Sequence, residues 1–152
     1  MDGGHRDGVE VSAAHAEWGA AAEADVYSWY RTGVDLLDSG SAAAAAHLLR
    51  RAVLAEPSSP SLREALARAE FDVGRYAAAE ESFRLLLELA PDNDYAMFGL
   101  GLAESRLGEF HRAAEHLALA VAMRPDAPHY AEALRQARVT LRARTDPGSA
   151  PG

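Results

Sequence analysis

The chain has 152 residues, a formal net charge of −8 and no cysteine, so it suits one domain without a disulfide frame, a thiolate nucleophile or a Cys-based zinc site. The negative charge argues against a general nucleic-acid binder, which needs a basic face to neutralise phosphates. No apolar run approaches the ~20 residues that span a bilayer.

The first residues, "MDGGHRDGVEVSAAH", are polar and lack the charged start and apolar centre of a signal peptide. A cytoplasmic location is the default expectation. Residues 1–11 read as a disordered tail, and 12–25 as an N-terminal helix weakened by Gly19, with Trp18 covering the open edge of the first repeat. There is no lysine and no isoleucine, every basic side chain apart from histidine is arginine, and alanine is abundant. A GC-rich genome of bacterial type explains that bias most simply. Stretches such as "SAAAAAHLL" therefore reflect composition and strong helix propensity together.

From Val26 onward the chain repeats. Pro57, Pro91 and Pro125 are 34 residues apart, and the same shift aligns Gly40 with Gly74 and Gly108, and Ala45 with Ala79 and Ala113. Gly33, Ala67 and Gly101 form a further small-residue column, and Leu49, Phe83 and Leu117 a large apolar one. Such self-similarity marks a repeat architecture. Each unit reads as two antiparallel helices. In the third, Tyr95 to Leu107 forms the first helix, Gly108 ends it, and Phe110 to Met123 returns alongside. Phe110, Ala113, Ala114, Leu117 and Val121 make the buried stripe of that returning helix. Proline ends the second helix because the residue before it is pushed out of the helical region. Ser59 with Pro60, and Asn93 or Asp94, are the expected N-terminal caps of the next pairs.

These residues resemble the tetratricopeptide repeat family, in a small bacterial form with three repeats. Trp29, Gly33, Leu36, Gly40, Ala45, Leu49, Ala52 and Pro57 match its pattern in the first unit. Leu66, Ala67, Gly74, Tyr76, Ala79, Phe83 and Pro91 match in the second, and Leu100, Gly101, Gly108, Phe110, Ala113, Leu117 and Pro125 in the third. The resemblance implies an all-α fold, a right-handed superhelical α-solenoid of three helix pairs (26–59, 60–93 and 94–127). A helix at 128–144 would cap it, with Tyr130, Leu134, Ala137 and Leu141 on the packed stripe and Arg135, Arg138, Arg142 and Arg144 mostly outside. Residues 145–152 are expected to be a disordered tail. The family usually carries a large residue at the eleventh place of the first helix. Leu36 fits, but Glu70 and Glu104 stand there in the later units and would need partners, for which nearby arginines are available. Phe71 would supply the missing bulk.

The sequence offers little catalytic chemistry. His111 and His116 are five apart on one helix, about 140° around its axis, so they do not share a face. No metal site, phosphate loop or nucleophile elbow is evident, and neither an enzyme nor a cofactor is expected. The resemblance instead directs attention to a concave groove lined by the first helix of each pair. Its expected peptide-binding residues here are Tyr27, Tyr30, Arg31, Val34, Arg68, Tyr95, Phe98, Leu102 and Arg106. Tyrosine and arginine are enriched at binding hot spots. Some relatives grip a partner's C-terminal carboxylate with Lys, Asn and Arg along this groove. The matching places are Tyr30, Val34, Ala65, Tyr95 and Gly99, and none supplies such donors.

The expected function is therefore a non-catalytic adaptor for a protein or peptide partner, with neither nucleic acid nor membrane as its target, acting as a monomer or weak homo-oligomer. A secretion-type chaperone that holds a client segment is the alternative binding role. A self-assembling repeat protein is the structural one.

Overall fold

The computed structural model describes residues 23–146 and 148. The tail expected at 1–11, most of the helix expected at 12–25 and its Trp18, and most of residues 147–152 lie outside them. Among the described residues there are seven helices and no strand: α1 (residues 23–38), α2 (Ala42–Ala55), α3 (Pro60–Val73), α4 (Tyr76–Leu89), α5 (Asp94–Arg106), α6 (Phe110–Met123) and α7 (Pro128–Thr145). They form an all-α solenoid of antiparallel pairs, α1/α2, α3/α4 and α5/α6, followed by α7. From α2 onward each helix packs on the next in sequence, and the longer reaches among these helices are α3 to α5 and α5 to α7. None is long and apolar enough to cross a membrane.

The 34-residue schedule is visible in the backbone. Gly40, Gly74 and Gly108 take φ of 85°, 90° and 81°, the left-handed conformation that closes the first helix of each pair. Before the prolines, Glu56, Ala90 and Arg124 leave the helix at φ −134°, −142° and −140°. The Ser59 side chain accepts from Leu62 N–H with Pro60 in the first turn, and Asn93 accepts from Ala96 N–H at 3.0 Å. Asn93, and not Asp94, is thus the cap. Thr145 belongs to α7 instead of the expected tail, and its hydroxyl donates to the Leu141 carbonyl at 3.0 Å.

The aligned columns are the core. Ala45, Ala79 and Ala113 are fully buried, as are Leu49 and Leu117, with Phe83 nearly so. Gly33 and Gly101 give room to those large side chains. A Cβ on either would come within 2.6 Å of Leu49 Cγ or Leu117 Cγ. Tyr130, Leu134 and Ala137 seat α7 on the last pair, while Arg135, Arg138, Arg142 and Arg144 are exposed. Arg144 also stacks 4.5 Å over the Phe110 ring.

Candidate functional site

The first helices of successive pairs stand side by side, so residues one turn apart on α1, α3 and α5 share one wall. Between them lies an open cleft of about 330 Å³, lined by Tyr30, Val34, Leu37, Ser61, Glu64, Ala65, Arg68 and Tyr95. A smaller hollow of about 40 Å³ continues from it past Arg68 and Tyr95 to Phe71, Asp72, Phe83, Phe98, Gly99 and Leu102. On the other side of Tyr30, a hollow of about 290 Å³ is bordered by Tyr27, Val26, Glu23, Glu56, Ser59, Ser61 and Leu62. Tyr30 thus divides two hollows, and Tyr95 with Arg68 joins two.

Seven of the nine residues expected to bind a peptide line these three hollows: Tyr27, Tyr30, Val34, Arg68, Tyr95, Phe98 and Leu102. Arg31 and Arg106 line none of them. Arg31 is exposed on α1, and the Arg106 guanidinium lies 5.8 Å and 5.7 Å over the rings of Phe71 and Tyr76. Arg68 reaches across to Asp38 at 3.3 Å, an exposed pair that solvent weakens. Asn93 donates to Glu64 at 3.3 Å and so ties the rim of α3 to the start of α5. Burial raises the Tyr95 phenol above its ordinary range, with Arg68 opposing, so it stays neutral at physiological pH.

Phe98 lines the smaller hollow and is also part of the packing between α5 and α7. Its ring stacks on Tyr130 at 4.4 Å, His129 meets it edge-on at 5.3 Å, and it packs against the core that α5 shares with α6 and α7. Phe83, from the second helix of its pair, was not expected at the groove. It reaches the floor because Gly99 opposes it. A Cβ on Gly99 would lie 2.3 Å from Phe83 Cζ. The paired signal, a glycine on α5 facing an aromatic sixteen residues earlier, was present in the sequence but uninterpretable without the pairing.

The two unexpected acids are both buried, and neither has arginine as its hydrogen-bond partner. Glu70 accepts from the Ser82 hydroxyl at 2.5 Å. Burial raises its pKa, against the lowering influence of that hydrogen bond and of Arg50, Arg63 and Arg75. Glu104 is held by His116 Nδ1 at 2.6 Å. Its pKa is also raised, chiefly by burial, with Glu80 and Glu109 adding repulsion and His116 opposing. Phe71 is half-buried and meets Tyr76 edge-on at 5.2 Å.

A family model described as tetratricopeptide repeat matches residues 30–94 and 64–128. No curated protein matches the sequence. Among solved structures, the chain is similar to the second TPR domain of human RPAP3 in complex with the HSP70 peptide SGPTIEEVD (TM-score 0.72, 18% identity, covering 77% of this chain and 98% of that one). It is similar to the Sgt2 TPR domain from Aspergillus fumigatus (TM-score 0.75, 17% identity, 84% and 86%). It is also similar to the Yersinia enterocolitica type III secretion chaperone SycD in complex with a peptide of the translocator YopD (TM-score 0.68, 15% identity, 76% and 93%).

Proposed function

Since the chain belongs to the tetratricopeptide repeat family, we propose that it is a non-catalytic, cytoplasmic adaptor that holds a segment of a protein partner in the cleft between α1, α3 and α5. Its working frame is three units, 26–59, 60–93 and 94–127, with α7 as the cap. The observation that carries this reading is the lining of the 330 Å³ cleft, which brings Tyr30 and Tyr95 together with Val34, Ala65 and Arg68. An aromatic wall with one central guanidinium suits a peptide that offers an apolar side chain to the tyrosines and a carboxylate to Arg68. Peptide-bound neighbours of the same fold support a protein partner in general. The absence of Lys, Asn or Arg at Tyr30, Val34, Ala65, Tyr95 and Gly99 argues against clamping a C-terminal carboxylate as some relatives do.

A second reading, a chaperone that keeps a client segment unfolded before export, is favoured by the likeness to SycD with its translocator peptide. The adaptor and chaperone readings separate by client: a folded partner docked through one segment supports the first, an unfolded secretion substrate the second.

The test compares the parent protein with Tyr30→Ala and Tyr95→Ala against the partner recovered by affinity purification. Each variant should lose ~2 kcal/mol of binding, roughly thirtyfold in affinity, as measured on folded protein. Both rings also pack against the core, so some loss of melting temperature is expected. Phe98→Ala serves as the contrast and should lower stability by about 2 kcal/mol because its ring is stacked on Tyr130. Unchanged affinity in both tyrosine variants would place the partner elsewhere.

A further inference from the structure

Outside the cleft, α4, the end of α5 and the start of α6 bring three carboxylates together. One oxygen from each of Glu80, Glu104 and Glu109 lies within 4.8 Å of the other two. Acidic clusters are common on surfaces, but Glu104 is not on the surface: its side chain is 0% exposed. His116 Nδ1 occupies Oε1, and Oε2 has no hydrogen-bond partner. Oε2 of Glu80 is buried and without a partner as well. When ionised, the three carboxylates can only accept hydrogen bonds and so repel one another; burial, repulsion from Glu109 and a side-chain hydrogen bond with Glu109 raise the Glu80 pKa.

The nearby cations do not fill the gap. Arg84 lies 3.8 Å from Glu80 Oε1, the other oxygen, and Arg112 lies 3.3 Å from Glu109 Oε2. Their side chains are 43% and 66% exposed, so both act from the solvent side. A positive charge among the inner oxygens is what the geometry lacks. An ion with metal–oxygen bonds of roughly 2.0–2.6 Å sets its ligands about 2.8–5.2 Å apart, a range that includes the observed spacing.

We propose that Glu80, Glu104 and Glu109 form a binding site for one hard divalent cation of the Mg²⁺, Mn²⁺ and Ca²⁺ class, with His116 orienting Glu104. An all-oxygen donor set selects hard ions, and three protein ligands leave positions for water. The His116 contact acts like the outer-shell bonds that fix ligand orientation at metal centres. The corresponding residues one repeat earlier are Ala46, Glu70 and Arg75, with Ser82 in place of His116. That pair keeps the buried glutamate but not the site. Because the ligands come from α4, α5 and the residue that caps the start of α6, the ion joins the second helix pair to the third.

The experiment titrates Mn²⁺ into chelator-treated full-length protein at pH 7, following free Mn²⁺ by electron paramagnetic resonance and unfolding by melting. One Mn²⁺ per chain is expected, displaced by excess Mg²⁺ or Ca²⁺, with melting raised by roughly 5 °C at a hundredfold excess over Kd. Glu104→Gln should abolish binding. Since that variant alters a buried position, Glu80→Gln and Glu109→Gln provide the folded test, each weakening Mn²⁺ at least tenfold. Glu115→Gln, an exposed acid on α6 outside the cluster, should leave the titration unchanged. Stoichiometric binding that survives in the Glu80→Gln/Glu109→Gln double variant would overturn the proposal. So would absence of Mn²⁺ binding by the parent, and melting that rises on acidification would then give the cluster to a shared proton.

Discussion

Glu70 and Glu104 stand 34 residues apart, at the same point of two successive helix pairs, and are buried almost equally at 5% and 0% exposure. Around Glu70 are a hydroxyl donor and three arginines, and around Glu104 an imidazole and two further acids. The helix frame is the same, so the contrast comes from four exchanges between one pair and the next: Ala46 gives way to Glu80, Arg63 to Met97, Arg75 to Glu109 and Ser82 to His116, while Arg50 is matched by Arg84. A repeat fixes where a side chain goes. Its neighbours decide what charge it can hold there.

The largest expected effect comes from erasing that difference. Ala46→Glu would put a second acid beside Glu70, in a position that is fully buried. It should destabilise by at least ~3 kcal/mol, measured by urea or thermal unfolding, because the added charge is uncompensated. Parent-like melting would mean that the second pair tolerates acids as the third does. Ser82→Ala comes next. It removes the donor to Glu70 and should cost about 1–3 kcal/mol, the penalty for leaving a buried acceptor unmet. A smaller change, in the opposite direction, is expected for Glu80→Gln in metal-free protein. Relief of repulsion from Glu109 and a new amide donor should raise stability by about 1 kcal/mol, against the loss of attraction to the partly exposed Arg84 and Arg112. Destabilisation there would show that Glu80 is held by more than its geometry suggests.

The smallest effect is a pH slope. Burial raises the Glu70 pKa in the folded state above its unfolded value, so the folded protein binds the proton more tightly. Its contribution to stability is fully present below the unfolded carboxylate pKa and is lost as pH rises through the folded one. Glu70→Gln should therefore remove a decline in melting temperature that the parent shows as pH rises through the folded-state pKa of Glu70. An unaltered slope would assign the decline to other groups.

The fold was legible because its signals recur. Three prolines, three glycines and the small and large columns each report one backbone event three times, and the helix bounds track them closely. The groove was legible for residues whose direction is set by their own helix, such as Tyr30, Val34 and Tyr95. It was harder to read where direction depends on a partner element. Phe98 is claimed by Tyr130 on α7, Arg106 lies over Phe71 and Tyr76, and Phe83 enters the floor only because Gly99 yields space. The acidic cluster was invisible for a related reason. Glu80, Glu104 and Glu109 have no motif spacing, and a pattern such as His111 with His116 on one helix cannot reveal ligands drawn from two helices and a connection.

The contacts from α2 to α7, confined to sequence neighbours and next-but-one helices, have a mechanical consequence. Nothing among these helices bolts one end of the array to the other, so tension applied at the termini loads one helix–helix boundary at a time. Each pair that peels away frees roughly 110 Å of extended chain, since 34 residues each span about 3.3 Å when extended. Under an optical trap the molecule should therefore extend in steps of similar length at low force, and rewind readily, because every boundary re-forms between segments that the chain already holds close together.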